Sequence, residues 1–381
     1  MRTRVPKYFN EFECISSECT DTCCAGWEIV VDDDTFEHYQ KVEGEFGDVL
    51  RNQITLDDGD NIFVLKNHNC PFLNENGLCD IYSNIGEDSL CYTCKQYPRF
   101  TEEFGNLREI GLSLSCPEAA RIILKDSKKI EFELSEDDDM VTSYNDINAE
   151  LFMNLIMCRN MIMEVLQDRE INLEVRTALI LNFAQEIQHF IDSNKIHEIA
   201  SIRKKYEDVK FKNDFIRKMS SCKYDGNKRY EKIKEYINVY KNLEHINDDD
   251  PLSLNNIYRE FYKDRDVKHY VDKHNEFNDY YEKKMYKFEH ALVYFIFRYF
   301  MKAVFDYDVS AKVKFAIVSF IMIKESCVVR WIENEYKLSD EDIIDIMHMY
   351  SKDIEHLEEN VESLSEMFET NEIFSARNII V

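Results

Sequence analysis

Residues 14–27 read CISSECTDTCCAGW: four cysteines within eleven positions, two of them adjacent, closed by Gly26 and Trp27. Five more, Cys70, Cys79, Cys91, Cys94 and Cys116, follow at wider intervals, so nine of the twelve cysteines fall within 103 residues. Eight of the nine glycines also lie at or before Gly111. Glycine marks turns, so the first third is rich in turns and the remainder is left to long helices.

Outward from this stretch the hydrophobic periodicity changes. Short strand-like runs, WEIVV at 27–31 and IFVLK at 62–66, are separated by DDD, GD and NENG turn signals. A helix is expected to begin near Asp34, where Asp32 and Asp33 give an acidic first turn suited to capping and to the helix dipole. Another is expected at SCPEAARIIL, with Pro117 in its first turn. Residues 126–146 read as an acidic connector. From Ile147 the spacing is helical: LFMNLIMCRNMIMEVL, VRTALILNFAQEIQHFI, HALVYFIFRYFMKAVF and KVKFAIVSFIMIKESCVVRWI each bury a broad face. Ser339 opens a further helix with a capping signature. The charged, tyrosine-rich segment 203–285 also reads as helical. The expected organisation is α+β: a cysteine-rich module with short strands at 1–125, the connector, and a mainly helical domain at 147–381.

The formal charge of −27 argues against nucleic acid and against an anionic membrane surface, both of which need a basic stripe. The N-terminal MRTRVPKYFNEFEC has no apolar run of signal-peptide type. The apolar runs 291–297 and 315–323 are too short to span a bilayer. The expectation is a cytoplasmic protein in which thiols stay reduced.

Three chemistries compete for the thiols. Disulfides would suit a secreted module, but the count of nine is odd and a bridge between the neighbours Cys23 and Cys24 would be strained. A lone nucleophile needs a histidine base, and His38 and His68 are the local histidines; the other eight thiols would be unexplained. Thiolate ligation of a metal accounts for the density and the reduced compartment. Zinc and an iron–sulfur cluster both take four thiolates. Cys91 and Cys94 alone form a C-x2-C knuckle, while prolines directly after Cys70 and Cys116 match the Cys-Pro end of ferredoxin-type runs. The candidate metal ligands are therefore Cys14, Cys19, Cys23, Cys24, Cys70, Cys79, Cys91, Cys94 and Cys116, in one centre or two. The radical S-adenosylmethionine pattern C-x3-C-x2-C is excluded: Cys19 and Cys23 begin it, but Gly26 stands at its third position. Cys158, Cys222 and Cys327 lie in helical patterns and read as core.

The blocks ECTDTCCAGWEIVVD, NCPFLNENGLCDIY, GEDSLCYTCKQYPRF and LSLSCPEAARIIL, in that order, resemble the flagellin lysine-N-methylase family of FliB type. The first three also resemble small CxxCxxCC zinc- or iron-chelating domains. Residues 288–319 are similar to the family's helical C-terminal half. The resemblance implies methyl transfer from S-adenosylmethionine to lysine side chains of flagellin, in a protein carrying a cysteine-bound iron–sulfur cluster of 4Fe-4S type. It leaves open which four cysteines bind, and the oligomeric state.

Methylating a lysine requires a neutral amine, aligned with the methyl group and its sulfonium. No Gly-rich turn after a strand supports a Rossmann donor site. In the helical half, Glu289, Tyr294 and Arg298 are the catalytic candidates, because Glu289 precedes an apolar run and Arg298 interrupts one, where a charge needs a partner. Trp27, Tyr97 and Arg99 stand beside cysteines and are the candidates for contacting the cofactor. The rival readings are a zinc- or iron-chelating protein without catalysis, and an iron–sulfur electron carrier. For the six candidates the plainer roles are bundle salt bridges and packing over a metal centre.

Overall fold

The computed structural model describes residues 1–138, 147–221, 225–246, 250 and 252–379. Two small sheets, eighteen α-helices and seven short 3-10 helices make up the described chain. One sheet has the order β5-β6-β1-β7, from β1 (Arg2–Pro6), β5 (Arg99–Phe104), β6 (Leu107–Leu112) and β7 (Phe132–Glu136). Within it β1 runs parallel to β6 and antiparallel to β7, with Thr3 opposite Arg108 and Ser135. The other sheet, β2-β4-β3, is built from β2 (Val30–Val31), β3 (Ile54–Asp57) and β4 (Asp60–Phe63).

The first helices are short: α1 (Asp33–Lys41), α2 (Gly44–Asn52), α3 (Asp80–Ile85), α4 (Tyr92–Gln96) and α5 (Pro117–Ile123). As the acidic turn suggests, Asp32 caps α1 by accepting from the Thr35 amide at 3.0 Å. Pro117 opens α5 directly after Cys116. Then come α6 (Ala149–Leu166), α7 (Leu173–Asp192), α8 (Ile199–Glu207), α9 (Val209–Ser221) and α10 (Gly226–Tyr240). They are followed by α11 (Leu254–Phe261), α12 (Val267–Tyr281), α13 (Tyr286–Tyr299) and α14 (Ala303–Asp306). The chain closes with α15 (Val309–Glu333), α16 (Asp340–Glu355), α17 (Glu358–Thr370) and α18 (Ala376–Ile379). Helix α15 is buried along nearly its whole length and forms the axis of the bundle. The charged segment 203–285 is helical in α8 to α12. Among the described residues no helix is long and apolar enough to cross a membrane.

Two hydrophobic cores exist, and they divide the chain differently from its composition. The large core joins the helices to β5, β6 and α5 through Phe104, Leu107, Leu112, Cys116 and Ala120. The small core holds Ile29, Val31, Tyr39, Leu50, Phe63, Phe72, Ile81, Cys70 and Cys91, with Cys24, Cys79 and Cys94 packed against it. Part of the cysteine-rich stretch therefore forms a lobe of its own, inserted between β1 and β5, while the rest of 1–125 belongs to the helical body. The stretch read as a connector contributes β7, which completes the sheet beside β1; its residues 139–146 lie outside the described residues. A buried ion pair seals sheet to bundle: the Arg159 guanidinium of α6 donates to both oxygens of Glu109 on β6. Cys158 and Cys327 are fully buried core residues; Cys222 lies outside the described residues.

Candidate functional site

The lobe meets the body along α16. The loop Cys19–Trp27 is pinned on its own side by pairing with residues 68–70, where the Cys70 amide donates to the Cys24 carbonyl at 2.7 Å and the Gly26 amide to the His68 carbonyl at 2.9 Å. Gly26 has φ +96°, and a Cβ there would lie 2.8 Å from Ile246 Cγ2 and 3.4 Å from Lys352 Cε. The glycine beside the paired cysteines thus lets the loop turn and touch the bundle.

Four of the six candidate side chains converge at this contact. The Trp27 indole stacks on the His356 imidazole, centroids 4.5 Å apart, with Tyr97 5.4 Å from Trp27. The His356 Nε2 lies 2.6 Å from Ser115 Oγ, the Tyr97 hydroxyl 3.2 Å from the same oxygen, and Ser113 Oγ 2.8 Å from it. Arg298 donates to Ser113 Oγ at 2.9 Å and to the Tyr294 hydroxyl at 2.7 Å. Tyr294 and Tyr299 both donate to the buried Glu355 carboxylate, at 2.9 and 2.7 Å, and Arg298 Nε lies 3.4 Å from it. On the lobe side, Asp21 Oδ2 accepts from Lys352 Nζ at 2.6 Å and stands 3.4 Å from His348 Nε2. The charge interrupting the apolar run at Arg298 thus has its partner on α16.

The electrostatics follow from burial. Burial, reinforced by the cations of Arg298 and Lys352, holds the His356 imidazole neutral by lowering its pKa to about 3. Burial likewise lowers His348 and pushes the Tyr97 hydroxyl well up. Burial and nearby Glu355 keep Tyr299 protonated. The site is a neutral hydroxyl–imidazole chain between a fixed carboxylate and two fixed cations.

Glu289 and Arg99 stand elsewhere. Glu289 is fully buried between Arg169 and Arg176, with Arg169 Nη2 at 2.7 Å and Arg176 Nη1 at 2.8 Å, and ties α13 to α7. Arg99 lies over the rings of Phe12 and Phe9, at 5.2 and 6.0 Å. A separate cavity of about 540 Å³, lined by Glu174, His274, Asn278, Phe320 and Lys324 among others, contains none of the six.

The nine thiols fall into two neighbourhoods that meet at the Cys23–Cys24 pair. Cys23 is pushed up chiefly by its contact with Cys24, and also feels Cys14 and Cys116; Cys116, raised to about 12 by burial, feels Cys19 and Cys14. On the other side, Cys70 feels Cys24, Cys79 and Cys91, and Cys94 touches Cys91. In each touching pair one sulfur is the acceptor: Cys24 is lowered to about 7 by Cys23, and Cys91 is lowered by Cys94. Among the described residues no three His, Cys, Asp or Glu side chains are placed to hold a metal ion.

Ser113, Ser115, His348, Lys352, Glu355 and His356 were not singled out from sequence. The signal for the last four is their spacing along α16 and its C-terminal cap His356, where i, i+4 and i+7 or i+8 put ionisable groups on one face. Only the covering lobe shows that this face is buried.

Residues 159–381 match the FliB lysine N-methylase C-terminal domain. The chain is 33% identical over 135 residues to the flagellar biosynthetic protein FliU of Salmonella muenchen, a match covering 32% of this chain and 76% of that protein. It is 32% identical over 135 residues to proteins named lysine-N-methylase in Salmonella typhimurium and Salmonella choleraesuis. Those matches span about a third of each relative's length, 32%. No solved structure matches the chain.

Proposed function

Because this chain belongs to the FliB lysine N-methylase family, we propose that it transfers methyl groups from S-adenosylmethionine to lysine side chains of flagellin. The observation that carries this reading to a place in the molecule is the lobe–bundle junction. There Trp27, Tyr97, Tyr294 and Arg298, far apart in sequence, share one network with His356.

The reaction breaks the bond from sulfonium to methyl carbon as the lysine nitrogen forms its own; the thioether leaves, and the amine sheds a proton. An ammonium cannot attack, and a free lysine has a pKa near about 10.4. The burial and the two cations that keep His356 neutral also disfavour an arriving ammonium, so the junction selects the neutral amine. Trp27 and Tyr97 give an apolar wall for the lysine stem. The hydroxyls of Ser115 and Ser113 offer hydrogen-bond partners through which the departing proton can be relayed to bulk water. Glu355, already accepting from Tyr294 and Tyr299 and ion-paired with Arg298, positions those groups and is not the proton acceptor.

The family resemblance also implies an iron–sulfur cluster. Such a cluster takes four thiolate ligands. The thiols offer two such sets, either of which would hold it: Cys24, Cys70, Cys79, Cys91 and Cys94 around the small core, or Cys14, Cys19, Cys23 and Cys116. When bound, such a cluster supplies either a rigid cross-link for the lobe or a redox centre.

The test is anaerobic purification, incubation with S-adenosylmethionine and flagellin, and intact mass of the flagellin. Methyl-mass steps that vanish in His356→Ala are expected. A metal-replete protein that leaves flagellin unchanged while undergoing reversible reduction would instead assign it to electron transfer.

A further inference from the structure

We infer that Lys352 is a positioning residue: by gripping Asp21 beneath Trp27, it couples the fold of the thiol loop Cys19–Cys24 to the Trp27–His356 stack. The reaction assigned to that stack rests on the reading above; the coupling itself does not.

Asp21 sits between Cys19 and Cys23, and Trp27 follows Cys24 by three residues, so one nine-residue loop carries three thiols and both contacts to α16. Lys352 engages the two contacts at once. Its Nζ is 2.6 Å from Asp21 Oδ2 and 5.0 Å from the Trp27 ring centroid. Only 4% of Lys352 is exposed. A lysine buried to that degree is held by its partner; without Asp21 the ammonium is left desolvated and unpaired. Within the loop the Cys19 thiol donates to the Asp21 carbonyl at 3.0 Å and the Cys24 amide donates to the Thr22 hydroxyl oxygen at 3.1 Å, while Cys24 and Gly26 pair with residues 68–70. Rearranging the thiols therefore moves Asp21, and moving Asp21 frees Lys352 from the face of Trp27. From α16 the groups facing this point are His348, Lys352 and His356; from the lobe, Asp21; from the body, Arg298. His348, at 3.4 Å from the same Asp21 oxygen, is a weaker second hold.

The chain has two tryptophans, Trp27 and Trp331. In full-length Trp331→Phe protein a phenyl ring takes the place of the core indole packed against Phe277 and Tyr280, and the indole emission reports Trp27 alone. The experiment compares emission wavelength before and after anaerobic chelation in this background, in Lys352→Met and in Lys352→Arg. Wavelength is read in place of intensity, since a cluster quenches intensity wherever the ring sits. Lys352→Met is expected to emit at longer wavelength with its metal content unchanged, and to respond little to chelation. Lys352→Arg restores the parent wavelength and the chelation shift, which a general loss of folding would not allow. If Lys352→Met keeps the parent wavelength and its response, or if chelating the parent leaves Trp27 unmoved, the coupling is overturned. Failure of flagellin methylation with these shifts intact would sink the proposed reaction and leave the coupling standing.

Discussion

Glu289, on α13, and Glu355, which contacts α13 from α16, are both buried acids, yet only one belongs to the junction. The Glu289 carboxylate lies between Arg169 and Arg176 with every bond directed inward. Glu289→Gln leaves two guanidiniums facing one neutral amide, and breaking a buried pair costs about 3–5 kcal/mol. Urea denaturation should show that loss while methyl transfer per folded molecule is retained. His356 yields a prediction of its own in pH. Its folded pKa, about 3, lies below the unfolded value near 6.5. Between these the unfolded chain binds a proton that the folded chain does not, so stability falls as pH drops through the window. One such group contributes about 1.4 kcal/mol per pH unit there and nothing above it. His290 and His348, also lowered by burial, add in the same direction. His356→Gln should flatten the slope of unfolding free energy between pH 6 and 4 by roughly one group's share; an unchanged slope would mean that the imidazole is protonated in the folded protein.

Among the elements, α16 brings most to the junction, and its start was legible while its inner face was not. Ser339 and Asp342 form the capping box: the serine hydroxyl accepts from the Asp342 amide at 3.0 Å, and the carboxylate takes the Ser339 amide at 2.8 Å. Removing that hydroxyl in Ser339→Ala should cost about 1 kcal/mol in a denaturant melt. The helical spacing after Ile147 and the acidic cap at Asp32 were equally readable, because each is a local rule. The strand β1 was not: RTRVP pairs with residues 107–109 and 132–136, and nothing within the pentapeptide states the partner. Nor was the junction. Arg298 could be seen to need a counter-charge, but Glu355 lies 57 residues on, on a helix whose polar face looks solvated until the lobe covers it. Arg99, singled out for its place beside the cysteines, has its guanidinium over Phe12 and Phe9, while Tyr97, two residues before it, enters the network.

At the scale of the molecule the two cores differ greatly in size. The body buries α15 and its neighbours in one continuous apolar cluster, whereas the lobe rests on Ile29, Val31, Tyr39, Leu50, Phe63, Phe72, Ile81 and two cysteines. Buried apolar area stabilises at about 25 cal/mol per Å², and small units seldom reach independent stability without a metal or cross-links. If thiolate ligation is what completes the lobe, removing the metal should unfold one unit and spare the other. Hydrogen exchange after anaerobic chelation should then rise across residues 24–94, while α6, α7, α13 and α15 keep their protection. Uniform loosening of both would mean that the cores fold as one, and an unaltered lobe would mean that its apolar contacts suffice. The division also bears on rate. With a net charge of −27, the surface would draw in a lysine-bearing segment at low salt, an attraction screened within about 10 Å at 0.1 M. kcat/KM for flagellin should therefore fall as salt rises, with kcat little changed, because the junction's own ion pairs are buried and escape the screening.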